Sequence, residues 1–159
     1  MKIITSMSGF LAVIVSGVSC GAMLTGAMVM VPFWRSIPAA EFLTWFGANA
    51  DRMQFYFGLL QVATIILAIT SAILFRIGRR PGTVLLSIAA VLAVAVLTAY
   101  PLYFRAANAS FVATTVPIAE VPAELARWAA WQWVRTVAGL FAFAFTLLGV
   151  TKSDASVAA

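Results

Sequence analysis

Three stretches of the sequence, residues 3–34, 53–75 and 81–104, contain no charged side chain at all. A helix crossing the hydrocarbon core of a bilayer needs roughly 20 consecutive, mostly apolar residues, so each stretch is long enough to span. A fourth run, 128–150, is interrupted only by Arg135. Together they predict an all-α fold: a polytopic membrane four-helix bundle with helices at about 7–34, 53–75, 83–104 and 123–150, filling residues 1–159 as a single membrane domain. Composition agrees, because 64% of the residues are hydrophobic and 9% charged, against about 45–50% and about 25% in a soluble domain. The lipid bilayer is the first partner the sequence implies.

Charge then decides orientation. The net charge of +5 would suggest nucleic acid in a soluble protein, but here topology accounts for it. The connection 76–82, "RIGRRPG", carries Arg76, Arg79 and Arg80 without an acid, which by the positive-inside tendency places it, and with it the N and C termini, in the cytoplasm. On the opposite side Arg35, Arg52, Arg105 and Arg127 are balanced by Glu41, Asp51, Glu120 and Glu124. The expectation is a multi-pass protein of the cell membrane with no nucleic-acid partner.

Lys2, an apolar run and "GVSCGA" look superficially like a lipoprotein signal acylated at Cys20, but the run continues past Cys20 to Trp34, far beyond the about 7–15 residues of a signal's apolar region. Cys20 is then expected as a small helix-packing residue. One cysteine makes no internal disulfide, and a chain without histidine offers few ligands for haem, zinc or copper. No metal and no cofactor are expected.

Gly9, Gly17, Gly21 and Thr25 recur at intervals of four or eight on the first helix, a stripe that admits a close helix neighbour, either inside the bundle or in a homo- or hetero-oligomer. After Pro38, "AAEFLTWFG" gathers Phe42, Leu43, Trp45 and Phe46 on a short amphipathic turn, predicting an interfacial helix at about 38–47 that ends near Gly47, with Trp34 and Trp45 at headgroup level.

At 100° per residue, Asp51, Gln54, Gly58, Gln61, Ala68 and Ala72 share one side of the second helix, and Trp128, Trp131, Gln132, Arg135, Gly139, Ala142 and Thr146 share one face of the fourth. Arg135 therefore points inward, roughly 6 Å below the outer boundary if the span ends near Val150. Tyr100, Tyr103 and Asn108 close the third helix on the same side. These groups converge on an outer-leaflet pocket with Arg135 as its cation, Gln54, Gln61 and Gln132 as neutral hydrogen-bonding groups, Tyr100 and Asn108 at its rim, and Trp128 and Trp131 as flat walls. Such a site suits a planar, weakly acidic aromatic molecule, its anionic oxygen on Arg135 and its rings on indole. A second reading stays open, in which Arg135 snorkels outward or pairs with Asp51, Glu120 or Glu124 to fasten loops.

A Gly-rich first helix running into "VPFW", an Asn after the third helix (Asn108 in "RAANASF"), and a fourth helix opening with Trp128, Gln132, Arg135 and Thr136 together resemble the DUF1772, or anthrone oxygenase-like, family of small four-helix membrane proteins. The resemblance covers about 8–150. It implies a four-helix architecture and, by analogy with some fungal members, cofactor-free oxidation of an anthrone to an anthraquinone, with Arg135 stabilising an anion. Gln132 stands where the family often has His or Asn, and an amide takes no proton at neutral pH. Two functional classes follow: a pocket for a hydrophobic aromatic molecule, in its catalytic version a metal-free oxygenase, or a non-catalytic accessory subunit of a larger membrane complex. No Asp or Glu lies inside a span to relay protons for a coupled transporter.

Overall fold

The computed structural model describes residues 2–155, and every regular element among them is helical. Four helices are long and apolar enough to cross a membrane: α1 (Ile3–Ser36), α2 (Ala39–Ile77), α3 (Thr83–Val112) and α4 (Ile118–Ser153). Each packs on its neighbours in the chain, and α4 closes the ring against α1, so α2 faces α4 across a diagonal. A square of this kind buries one stripe of each helix and leaves the rest to lipid, which is why Phe10, Ile66, Val91 and Val134 stand exposed around the outside.

The connections are short, and each is fixed by local backbone chemistry. Ile37 is extended (φ −103°, ψ 157°), the conformation that the ring of Pro38 imposes on the residue before it, and α2 starts at once beyond. Between α2 and α3, Gly82 takes φ +90°, and a Cβ there would run into the backbone carbonyl of Gly149. Only glycine satisfies both demands. Pro117 opens the short 3₁₀ turn Ile118–Glu120 that leads into α4.

The four predicted spans are all present, and three of them extend further than their charge-free cores. The expected break near Gly47 is absent. Residues 38–47, predicted as a separate interfacial helix, form instead the opening turns of the 39-residue helix Ala39–Ile77. Nothing after Pro38 stops a helix: no proline follows before residue 77, a single glycine at 47 is tolerated, and the charged Asp51 and Arg52 are exposed while Ala50 turns to the cavity. Likewise α3 runs through Asn108 to Val112, so Asn108 sits on a helix rather than in a loop.

Packing changes character along the bundle. At the end carrying the 78–82 turn, Phe75, Leu86 and Val150 form a compact plug. In the middle, Ala68, Ala90 and Ala93 bring α2 and α3 close together. At the opposite end lies a large aromatic cluster built on Trp34, Phe42, Phe46, Phe104, Phe111 and Trp128, with Trp34 to Trp128 ring centroids 5.1 Å apart and Phe42 to Phe111 5.0 Å, both edge-on. Four buried hydroxyls are satisfied locally: Ser16, Thr64, Thr136 and Thr146 each donate to the carbonyl four residues back, at 2.6, 2.7, 2.7 and 2.8 Å.

Two turns depart from α geometry, and both lie at the aromatic end. Gly26–Met30 and Tyr100–Phe104 are π-helical, closed by N–H donation from Val31 to the Gly26 carbonyl and from Arg105 to the Tyr100 carbonyl. Pro32 follows the first of these turns and Pro101 lies inside the second; a proline ring gives no N–H and crowds the carbonyl four residues back, which for Pro32 is that of Met28, within the widened turn.

Candidate functional site

Between the four helices at the aromatic end is a cavity of about 510 Å³. The widened turns shape it: Gly26 and Met30 from one, Tyr100 and Phe104 from the other, face it across the bundle. Trp34, Phe46 and Trp128 add ring walls, α2 contributes the segment from Met53 to Val62, and α4 contributes Gln132 and Arg135.

Among the described residues of this lining Arg135 alone is charged, and it is held from two sides. Its Nε donates to Gln132 Oε1 at 2.8 Å, and its guanidinium carbon lies 4.2 Å above the Phe104 ring and 5.9 Å from that of Trp128. Such stacking is worth roughly 0.5–2 kcal/mol, more when water is excluded. Gln132 is fully buried and is itself anchored, its Nε2 donating to the Met23 carbonyl at 2.8 Å. Thr136 Oγ1 reaches the same carbonyl at 3.4 Å. Both ends of the Gln132 amide are therefore used, one to tie α4 to α1 and the other to orient the cation. Gly26 makes this reach feasible, since a Cβ there would stand 2.8 Å from Gln132 Nε2.

Among the described residues, Arg127 pairs with Glu124 at 2.9 Å, three residues apart on α4. No carboxylate lies within salt-bridge distance of Arg135 among those residues, and no carboxylate lines the cavity. Of the carboxylates considered as partners of Arg135, Glu124 is instead engaged by Arg127 three residues along the same helix, and Asp51 and Glu120 are exposed.

Of the eight residues singled out from the sequence, Arg135, Gln132, Trp128, Gln61, Gln54, Tyr100 and Asn108 all line the cavity. Gln61 is buried and donates from Nε2 to Ser19 Oγ at 3.2 Å, linking α2 to α1. Gln54 is exposed and stands at the rim. Asn108 Oδ1 accepts from Trp128 Nε1 at 3.0 Å, which holds that indole against Phe104 at 5.0 Å between centroids. The eighth residue, Trp131, does not line the cavity. Its position at the edge of the polar face of α4 turns it to Tyr103, on which it stacks at 5.4 Å and 7°; Tyr103 in turn donates to Glu124 Oε1 at 2.6 Å.

Trp34 is the residue most displaced from expectation. Rather than resting at headgroup level, it is 2% exposed at the centre of the aromatic cluster, and its Nε1–H finds no acceptor among the described residues. Phe46, expected on an interfacial helix, and Phe104, not singled out in the sequence, are walls. Of the small stripe on α1, Gly9 packs against Val150 and Phe75 and Gly17 against Phe143, inside the bundle, whereas Gly21 meets nothing.

The chain matches no family model, no curated protein and no solved structure. What the site can do therefore rests on its chemistry: a fixed cation and aromatic planes, in a space whose lining contains no basic side chain able to take a proton at neutral pH.

Proposed function

We propose that the protein binds, within the membrane, a hydrophobic planar aromatic molecule whose ionised oxygen is set against Arg135. One observation carries the reading: a guanidinium in the cavity wall has ring faces and an amide as neighbours but no acid among the described residues. A cation withdrawn from water is stabilised by an opposite charge, and an oxygen anion on a flat ring supplies both that charge and a surface for Trp128 and Phe104 to cover. With the 78–82 turn in the cytoplasm, as its arginines predict, the cavity belongs to the outer leaflet of the cell membrane.

Binding is measured by energy transfer from tryptophan to 9-anthroate on protein in lipid nanodiscs. Saturable transfer is expected, weakened about tenfold to a hundredfold by Arg135→Gln, the loss anticipated for a charge-assisted hydrogen bond. Equal affinity in the variant would remove the role assigned to Arg135, and no saturable transfer with the native chain would remove the reading.

The resemblance to the anthrone oxygenase-like family supplies a catalytic version of the same reading. Anthrone ionised against Arg135 would react with dioxygen, losing both hydrogens from its methylene carbon; one oxygen atom becomes the second carbonyl and the other leaves as water. With no base in the lining, the proton passes to water at the exposed rim beside Gln54, and the cation stabilises the anion that remains. Oxygen uptake with anthrone, abolished in Arg135→Gln, tests this version, and a flat trace with native protein sinks it.

A further inference from the structure

The residues of the cavity lining that stand most exposed, Phe55, Leu59, Val62 and Gln54, all belong to α2. They mark where the wall is open. Further along the same side of α2, Ile65, Ala68 and Ala72 pack against Ala90 and Ala93 of α3. Gly58 lies two turns before Ile65 on that side, so the seam that is closed at the alanines parts at Gly58, with Val62 and Leu59 exposed beside it. Leu97 and Tyr100 of α3 form the far side of the opening.

This opening does not face water. It lies within the charge-free stretch 53–75, beginning just past Asp51 and Arg52, and its exposed edge is apolar at Phe55, Leu59 and Val62, with Gln54 at the end nearest Asp51. The fixed polar groups are at the other side of the cavity, where Arg135, Gln132 and Asn108 sit on α4 and α3. At Gly58 a Cβ would meet nothing within 4 Å, so the space there is not used by the fold.

We propose that the ligand enters sideways from the bilayer, through this portal between α2 and α3, and is a lipid-dissolved amphiphile: an aromatic acid whose ring and charged oxygen lie against Arg135 while an aliphatic tail trails between the helices into lipid. The proposal rests on the cavity being a ligand site, as argued above. A molecule of this class already dwells at the required depth, with its acid near the headgroups and its tail among acyl chains, so it reaches Arg135 by lateral diffusion and leaves its tail where it was.

The test uses 2-(9-anthroyloxy)stearate, delivered from vesicles to protein in nanodiscs and followed by energy transfer from tryptophan. Gly58→Phe places a ring in the portal without displacing a neighbour; Gly21→Phe, on the outer face of α1 where a Cβ also meets nothing, is the control. Native protein and Gly21→Phe should associate at equal rates, with Gly58→Phe slower by about tenfold or more and its thermal transition unchanged. Equal rates in all three would overturn the portal while leaving the cavity as a site. Binding of 9-anthroate without binding of the tailed probe would overturn the ligand class. Failure of both probes would remove the underlying cavity reading, and the portal with it.

Discussion

Gln132 holds Met23 and Arg135 at once: its amide nitrogen donates to the Met23 carbonyl and its oxygen receives the Arg135 Nε, each at 2.8 Å. Met23 lies three residues before the start of the widened turn of α1. A single side chain thus sets both the docking of α4 on α1 and the heading of the cation.

Gln132→Met keeps the volume and removes both bonds. Thermal unfolding in detergent should show a loss of about 1–3 kcal/mol, the range for stranding a buried acceptor and a cationic donor. Binding of 9-anthroate should also weaken, because Arg135 is then free to turn away from the rings. An unaltered melting curve would show that the bridge to Met23 contributes nothing.

Gln132→Glu separates the two duties. A carboxylate beside Arg135 neutralises the cation from within, so the affinity for an aromatic anion should fall by about tenfold or more. Neutral analogues such as the methyl ester of 9-anthroic acid should bind as before. If the ester loses affinity in parallel, the cavity has changed shape and charge is not the reason.

Gly26→Ala should reproduce the stability phenotype of Gln132→Met from the opposite helix. The new methyl would contact Gln132 Nε2, which two hydrogen bonds prevent from yielding freely, and overpacking of this kind costs about 1–3 kcal/mol. Combining both substitutions should give much less than the sum of their effects, as for any pair acting through one contact.

Trp34→Phe and Trp128→Phe distinguish two buried indoles. Trp34 Nε1 has no acceptor among the described residues, so its removal relieves a desolvated donor and offsets the lost ring area. Trp128 Nε1 donates to Asn108, and its loss strands that oxygen. Melting temperatures should place Trp128→Phe lower by an amount equal to about 1–2 kcal/mol; the reverse order would mean that the Trp34 N–H is satisfied in the membrane.

Much of this was legible in sequence, for identifiable reasons. Lipid demands continuous apolarity, so the four spans stand out from the absence of charge. Polar residues in such spans are few, and a 100° count places Gln61, Gln132 and Arg135 inward because little else on their helices avoids lipid. The aromatic end was less readable. A Trp near a charged boundary satisfies the membrane-interface pattern and the core of a bundle equally well, so Trp34 and the run Phe42, Leu43 and Phe46 carry no local sign of the rings they meet from α3 and α4. Trp131 failed for a finer reason. It lies at the margin of its helical face, where a modest rotation decides between Tyr103 and the cavity.

The two π turns have a consequence for reading helices by register. Each inserts one residue beyond the α count, so everything past it is indexed about 100° away from the phase of the preceding span. Deleting one residue within Gly26–Met30 would return the following residues to the α count and swing Trp34 out of the aromatic cluster by roughly that angle. In this bundle, the aromatic chamber owes its existence to two counting errors that the prolines keep in place.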